Sequence, residues 1–555
     1  NYDTDELVLK GIPTEIGTVD NWQTGFYYTM RFDEVNAEGD YYIVLNDGQK
    51  EYKSFPFHIG NNWLEYKTMS SVCYYFKTQR PTGEFEKAER NLPFRGEREG
   101  RHDVRGGWFD ATGDYGIHLS HLSHTSFFNP QQASFSAYSF FKMNELLTQS
   151  DYPHFTMLKR RMLDEGMYGA DFLMRMRAPS GTFFRTKDRA EAFKPVNTTR
   201  VIGYEFRNPK TRQGGGVLEG FDEIVDENYE VSFRCGGGYA IATLAIAARH
   251  NYPSDFSKEE YIQSAINAYN YLEKNNERYT NDGKWNLLDE YCCLDALIEI
   301  YKTTQEIYYL YKAREIYEKV EKRYVAIDQN RGYLSVDGTN RPFFHAADAG
   351  MPAVNILNFY AIEKDEKIRE RALNLAKKIM ANEIFVTNET SNPFGYARQL
   401  IKDGKGTIET RFFYPHDVET SPWWQGENAR IASLATAARS LSKLLDEKTD
   451  EIFKSQLKKY ADDQINWILG LNPYDSCMME SFGRNNPAYF FGEHKDFIHC
   501  PGGIVNGITG GIVDEEKGID LINTYGEKDI TDNWRWAEQW IPHATWYLMA
   551  LTQKM

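Results

Sequence analysis

The chain has 555 residues and carries 64 basic against 80 acidic side chains, a formal charge of −16. That balance excludes nucleic acid and anionic membranes as partners, because both require a basic face. No run of about 18 apolar residues occurs, so no segment is expected to span a bilayer, and the length exceeds what one ordinary domain uses.

Residues 1–62 read as strands. Glu6–Lys10, Gly25–Phe32 and Tyr41–Leu45 are β-branched or aromatic runs, separated by turn signals such as Glu38-Gly39-Asp40 and Asn46-Asp47-Gly48. A small β-sandwich fits them. From Trp63 the period becomes helical. Helices are expected near 63–79, 133–149, 154–176, 238–250, 257–275, 287–303, 306–324, 350–362, 366–382, 424–444, 451–470 and 537–553. They arrive as pairs with glycine- or proline-bearing loops between them. Several helices, Ala240–Ala247 for example, are apolar on more than one face, which suits the inner ring of a double-layered helical barrel. Segments 80–132, 177–236, 326–349, 384–423 and 471–536 are too long for plain connections and are where function is expected.

The stretch Gly106-Gly107-Trp108-Phe109-Asp110-Ala111-Thr112-Gly113-Asp114-Tyr115 puts two carboxylates four residues apart in a glycine-broken loop. More than 400 residues later Glu538 stands among Trp534, Trp536 and Trp540. Inverting hydrolysis of a glycosidic bond needs a base to activate water and an acid to protonate the leaving oxygen. Asp114 reads as the base, with Asp110 as its partner on the water. An apolar surround would hold Glu538 protonated as the acid. The bland readings are a turn or helix cap for the aspartates and a first-turn Glu for Glu538.

Trp108, Phe109 and Tyr115 would wall the site. In the loop 415–428, His416 and the tandem Trp423 and Trp424 offer a sugar platform, and in 478–489, Glu480 and Arg484 offer hydroxyl ligands. Trp534 completes the set of substrate contacts. Aromatics form 15% of the chain, and sugar stacking and core filling explain the excess equally. His118, His121 and His124 recur every third residue, but no carboxylate accompanies them on a helix face, so packing or substrate hydrogen bonds are favoured over a metal. No cofactor is expected. The many loop acids allow a structural calcium, although no EF-hand loop appears. The six cysteines, widely spaced but for Cys292-Cys293, form neither a disulfide framework nor a zinc pattern, and they read as reduced thiols of a cytoplasmic protein.

These motifs, in this order, resemble glycoside hydrolase family 9, which typically carries Gly-Gly-Trp-x-Asp-Ala-Gly-Asp early in its catalytic domain. Gly106–Ala111 with Gly113-Asp114 are similar to it, as are Gly470–Tyr474, Pro501–Gly507 and Glu538 to the family's C-terminal segments. The resemblance implies a mainly α chain: an (α/α)6 barrel over 63–555 behind an immunoglobulin-like β-sandwich over 1–62. It implies inverting hydrolysis of β-1,4 bonds, with Asp114 as base, Asp110 as second water ligand and Glu538 as acid. Two departures stand out. Thr112 is an extra residue between the aspartates, and Asn486–Gly492 replaces the cellulases' Pro-His-His-Arg. The Asp-Ala-Thr-Gly-Asp variant looks like the exo-β-D-glucosaminidases, which take glucosamine from the non-reducing end of chitosan oligosaccharides. An exo-acting cello-oligosaccharide hydrolase and an inactive carbohydrate-binding protein are the alternatives.

Overall fold

The structure is a computed structural model and describes residues 1–22, 24–121, 127–150, 153–189, 200–204, 225–415, 425–511 and 518–554. Twelve long helices build the body: α1 (Trp63–Thr78), α2 (Ala133–Gln149), α3 (Thr156–Arg175), α4 (Gly238–Ala247), α5 (Lys258–Asn275), α6 (Leu287–Thr304), α7 (Ile307–Lys322), α8 (Met351–Ile362), α9 (Glu366–Asn388), α10 (Asn428–Leu444), α11 (Glu451–Ile468) and α12 (Ile541–Lys554). They alternate in kind. The even-numbered helices are buried along nearly their whole surface, every residue of α4 included, whereas the odd-numbered ones bury a single stripe. A helix apolar all round must be covered all round. The contacts follow: α2, α4, α6, α8, α10 and α12 touch in a closed ring, and each odd helix packs outside its even neighbour.

Local signals start several helices where the sequence placed them. Ser257 and Glu260 form a capping box for α5, Asn286 accepts from the Leu288 and Asp289 amides ahead of α6, and Asp365 caps α9. Gly236, at φ +102°, turns the chain into α4; a Cβ there would meet Leu119 at 2.6 Å. The last helix departs from expectation. It begins at Ile541, after a separate short helix Trp534–Ala537, and Pro542 suits its first turn. Residues 538–540 between them are spent on backbone bridges to Ala111 and Val505.

In residues 1–62 six short strands form three antiparallel pairs, Thr14–Gly17 with Tyr27–Thr29, Gly39–Tyr41 with Phe57–Ile59 and Val44–Asn46 with Glu51–Lys53. Among the described residues each pair is a separate two-stranded sheet. Glu6–Lys10 is not a strand: it lies exposed with no neighbouring strand to take up its backbone groups. Trp22 anchors the segment, with Val19 buried in the same core and Tyr27 5.1 Å from Phe394. Trp22 is buried against Phe412, with ring centroids 4.7 Å apart, and against Phe394, Phe413 and Trp467. Replacing a buried Trp by Ala costs about 3–5 kcal/mol. Trp22→Ala should therefore expose residues 1–62 to limited proteolysis while the helical melt of the body moves far less; cleavage at the wild-type rate would refute the anchor.

Candidate active site

Two loops, each leading into an inner helix, build the site. The aspartate loop 106–115 precedes α2 and the segment 538–540 precedes α12. They are stitched along the backbone: the Thr112 amide donates to the Gln539 carbonyl at 2.9 Å and the Ile541 amide to the Asp110 carbonyl at 2.9 Å. The extra Thr112 takes part, its hydroxyl donating to Gln539 Oε1 at 3.0 Å. Gly113, at φ +88°, makes the turn between the aspartates; a Cβ on it would lie 2.5 Å from Phe497, so the ring of that residue closes down on the loop. Asp114 Oδ1 accepts from the Gly116 amide at 3.0 Å.

Asp110 is buried. Its Oδ2 accepts from Gln132 Nε2 at 3.2 Å and lies 3.8 Å from His118 Nε2, whereas its Oδ1 has no hydrogen-bond partner among the described residues. Burial pushes its carboxyl well above the usual range, and the neighbouring Asp114, Glu538 and Asp188 push the same way. Burial lowers His118, so the imidazole beside Asp110 is neutral; its Nδ1 is 2.6 Å from Thr186 Oγ1.

Glu538 follows the short helix instead of opening the last one, in an extended conformation. Burial, then the charge of Asp114, pushes its carboxyl up to about 8, against a weak lowering by Asn506. Asn506 holds this segment through three contacts: its amide donates to the Glu538 carbonyl at 2.8 Å, and Nδ2 donates to the Trp534 carbonyl at 2.8 Å and approaches Glu538 Oε2 at 3.5 Å. Buried Tyr489 lies in the field of both Glu538 and Asp114. The site thus unites an acidic loop with a carboxyl that stays protonated at neutral pH, the division of labour that acid–base hydrolysis requires.

Other predicted residues fall elsewhere. Trp108 is no sugar platform: it is fully buried against Phe76, Phe140 and Tyr168, with Nε1 donating to Glu165 at 2.9 Å. Its side of the loop faces the core. Tyr115 stacks on Phe85 at 5.1 Å and stays partly exposed. Glu480 reaches His499 Nδ1 at 3.1 Å, and that ring's Nε2 donates to the Ala537 carbonyl at 2.8 Å, so Glu480 is tied through His499 to the residue before Glu538. Arg484 is engaged by Asp475 at 2.7 and 2.8 Å and lies over Phe55 of the N-terminal segment. Trp534 is partly exposed beneath the Arg535 guanidinium. His416, Trp423, Trp424 and His124 lie outside the described residues. His118 and His121 are not on a helix, and among the described residues no group of three or more His, Cys, Asp or Glu is placed to hold a metal. Sequence reasoning missed Gln132 and gave Asn506 no role; both sit beside motif residues, but nothing in their type distinguishes them.

The pKa of Glu538 has a consequence for stability. The folded carboxyl titrates at about 8 against its ordinary 4.5. Between these values the folded protein keeps a proton that the unfolded chain has lost, so this group lowers stability as pH rises through that window. Glu538→Gln cannot ionise, and it should melt no lower than wild type at pH 5 and higher at pH 9; a lower melt at pH 9 would contradict the desolvated acid.

The model of glycosyl hydrolase family 9 matches residues 66–535. No curated protein matches the chain. Among solved structures, the family 9 endoglucanase J30 superposes with a TM-score of 0.65 at 15% identity, covering 100% of this chain and 95% of its own. A Bacteroides ovatus GH9 protein gives 0.62 at 15%, covering 99% and 92%. Endoglucanase CelQ from Clostridium thermocellum, complexed with cellotriose, gives 0.50 at 15%, covering 87% and 69%. At these identities the likeness is one of fold, and the neighbours share the helical-barrel body. With 470 of its 555 residues inside the family match, the chain belongs to glycosyl hydrolase family 9.

Proposed function

We propose that this glycoside hydrolase is an inverting exo-β-D-glucosaminidase that removes glucosamine from the non-reducing end of short chitosan oligosaccharides. Asp114 is the base, Asp110 binds the water and the substrate amine, and Glu538 is the acid. The observation that carries the reading is the electrostatic character of the site. Burial first, then the neighbouring acids Asp114, Glu538 and Asp188, raise Asp110, and its Oδ1 is a buried acceptor with no donor among the described residues. A glucosamine ammonium would bring both a counter-charge and a charge-assisted hydrogen bond, which a 2-hydroxyl or an N-acetyl group would not.

The six free thiols fit a reducing compartment, and the proposal includes a cytoplasmic enzyme working on imported oligosaccharides without a metal; activity should survive a chelator. It also includes a division at residue 62 between an immunoglobulin-like module and the catalytic domain. A second reading is an exo-acting cello-oligosaccharide hydrolase with the same three carboxylates. What speaks for its glucan substrate, though not for its exo mode, is that the neighbours are named endoglucanases and that one, CelQ, is complexed with cellotriose. An inactive binding protein is disfavoured because the acid and both aspartates meet in one site.

The test is hydrolysis of deacetylated chitobiose, chitobiose and cellobiose side by side, with the product anomer followed by NMR. Glucosamine released first as the α-anomer, from the deacetylated dimer alone, is the expected result; glucose from cellobiose would transfer the proposal to the second reading. Turnover should fall as pH rises through about 8, where Glu538 loses its proton. Glu538→Gln should fold and lose about 10²–10⁴-fold in kcat; near-wild-type turnover would remove the acid assignment.

A further inference from the structure

Beneath the aspartate loop, three ionic side chains are fully buried: Glu89 at the end of the short helix Glu84–Glu89, Lys187 on the strand Thr186–Arg189 and Arg200 on the strand Arg200–Gly203. Lys187 Nζ is 2.5 Å from Glu89 Oε2, and Arg200 Nε donates to Glu89 Oε1 at 2.8 Å. Each cation has further donors: Lys187 Nζ and Arg200 Nη1 direct theirs to the backbone around the aspartate motif, while Arg200 Nη2 has no partner among the described residues. Lys187 donates to the Gly106 carbonyl at 2.7 Å and to the Val104 carbonyl at 2.7 Å, and Arg200 Nη1 donates to the Tyr115 carbonyl at 2.7 Å.

Gly106 and Tyr115 are the two ends of the loop that carries Asp110 and Asp114. Between them the backbone passes through positive φ at Gly106, Gly107 and Gly113, positions where glycine leaves the chain many alternatives. We propose that the Glu89–Lys187–Arg200 triad is a positioning clamp that fixes both ends of the aspartate loop and so sets the two carboxylates in register with Glu538.

Burying a carboxylate and two cations is costly, and well-packed apolar residues commonly serve stability as well or better. What apolar residues cannot supply is a directed donor to each end of a loop. The alternation of the central strand agrees: Lys187 points down to Glu89, while Thr186 on the opposite face meets His118 beside Asp110. None of the three touches substrate, and they act through the backbone they hold. The inference rests on the reading of Asp110 and Asp114 as the base side of the site.

The test is Arg200→Lys, which keeps the charge beside Glu89 but cannot span to both Glu89 and Tyr115. It is compared with wild type and Asp114→Asn on whichever of deacetylated chitobiose, cellobiose and carboxymethyl cellulose the wild type cleaves fastest. The expected result is a loss of about 10²-fold in kcat, the scale of a reacting group misplaced by about 1 Å, with KM and the melting midpoint close to wild type. Wild-type kcat in Arg200→Lys with an inactive Asp114→Asn would overturn the clamp while leaving the loop catalytic. A melting midpoint that falls along with kcat would assign the triad to stability alone. An active Asp114→Asn would instead remove the reading on which the clamp rests, and the clamp with it.

Discussion

Everything in this structure that bears on chemistry depends on one closure: the backbone seam between Ala111-Thr112 and Gln539-Trp540. Residues more than 400 positions apart supply the two halves of the site, and each half leads into an inner helix of the ring. Joining such distant segments carries a loop-closure cost that grows only slowly with length. The helical ring bears that cost through its own packing, so the seam needs only enough bonds to fix register. It has amides, a threonine hydroxyl and the Tyr75 hydroxyl, which donates to the Gln539 carbonyl at 3.2 Å.

The seam brings acids together, and this is electrostatically unfavourable. Asp110 and Glu538 each feel Asp114, and both are driven towards their protonated forms chiefly by burial. Repulsion and desolvation here act in one direction, and their result is useful: a carboxyl that still holds a proton at neutral pH can deliver it to a leaving oxygen. Glu538 owes this to its neighbours more than to its place on a helix. A first-turn glutamate would have faced the positive end of a helix dipole and been lowered; ending the short helix at Ala537 avoids that. Asn506 and the Glu480–His499 pair then hold the extended segment from its two sides.

The sequence disclosed the periodic parts and obscured the directional ones. Inner and outer helices were legible because a run apolar on more than one face, such as Ala240–Ala247, must be covered on more than one side, and cap residues such as Ser257 mark a start chemically. The aspartates and Glu538 stood out as candidates through their spacing and aromatic company. What spacing does not encode is the face a side chain takes. Trp108 and Asp110 are two residues apart in one irregular loop, yet the first enters the core and the second the site. Arg484 has the chemistry of a sugar ligand, but Asp475 lies within reach of its guanidinium. The triad under the loop was invisible for the same reason, because Glu89, Lys187 and Arg200 belong to segments that meet only in the fold.

On the proposed function, the preference for a charged substrate rests on this arrangement more than on any single contact. A neutral sugar would leave the strain on Asp110 and Glu538 to be relieved by protonation alone, and Asp110 Oδ1 would keep no donor among the described residues. An ammonium at C2 changes that account: it favours the ionised form of the aspartate it touches, and leaves Glu538 as the group that retains its proton. On this argument substrate binding itself sharpens the separation of base from acid. The dependence of turnover on pH should then differ between amine-bearing and neutral sugars in the limb that Asp110 sets, and agree in the alkaline limb, which Glu538 governs in both.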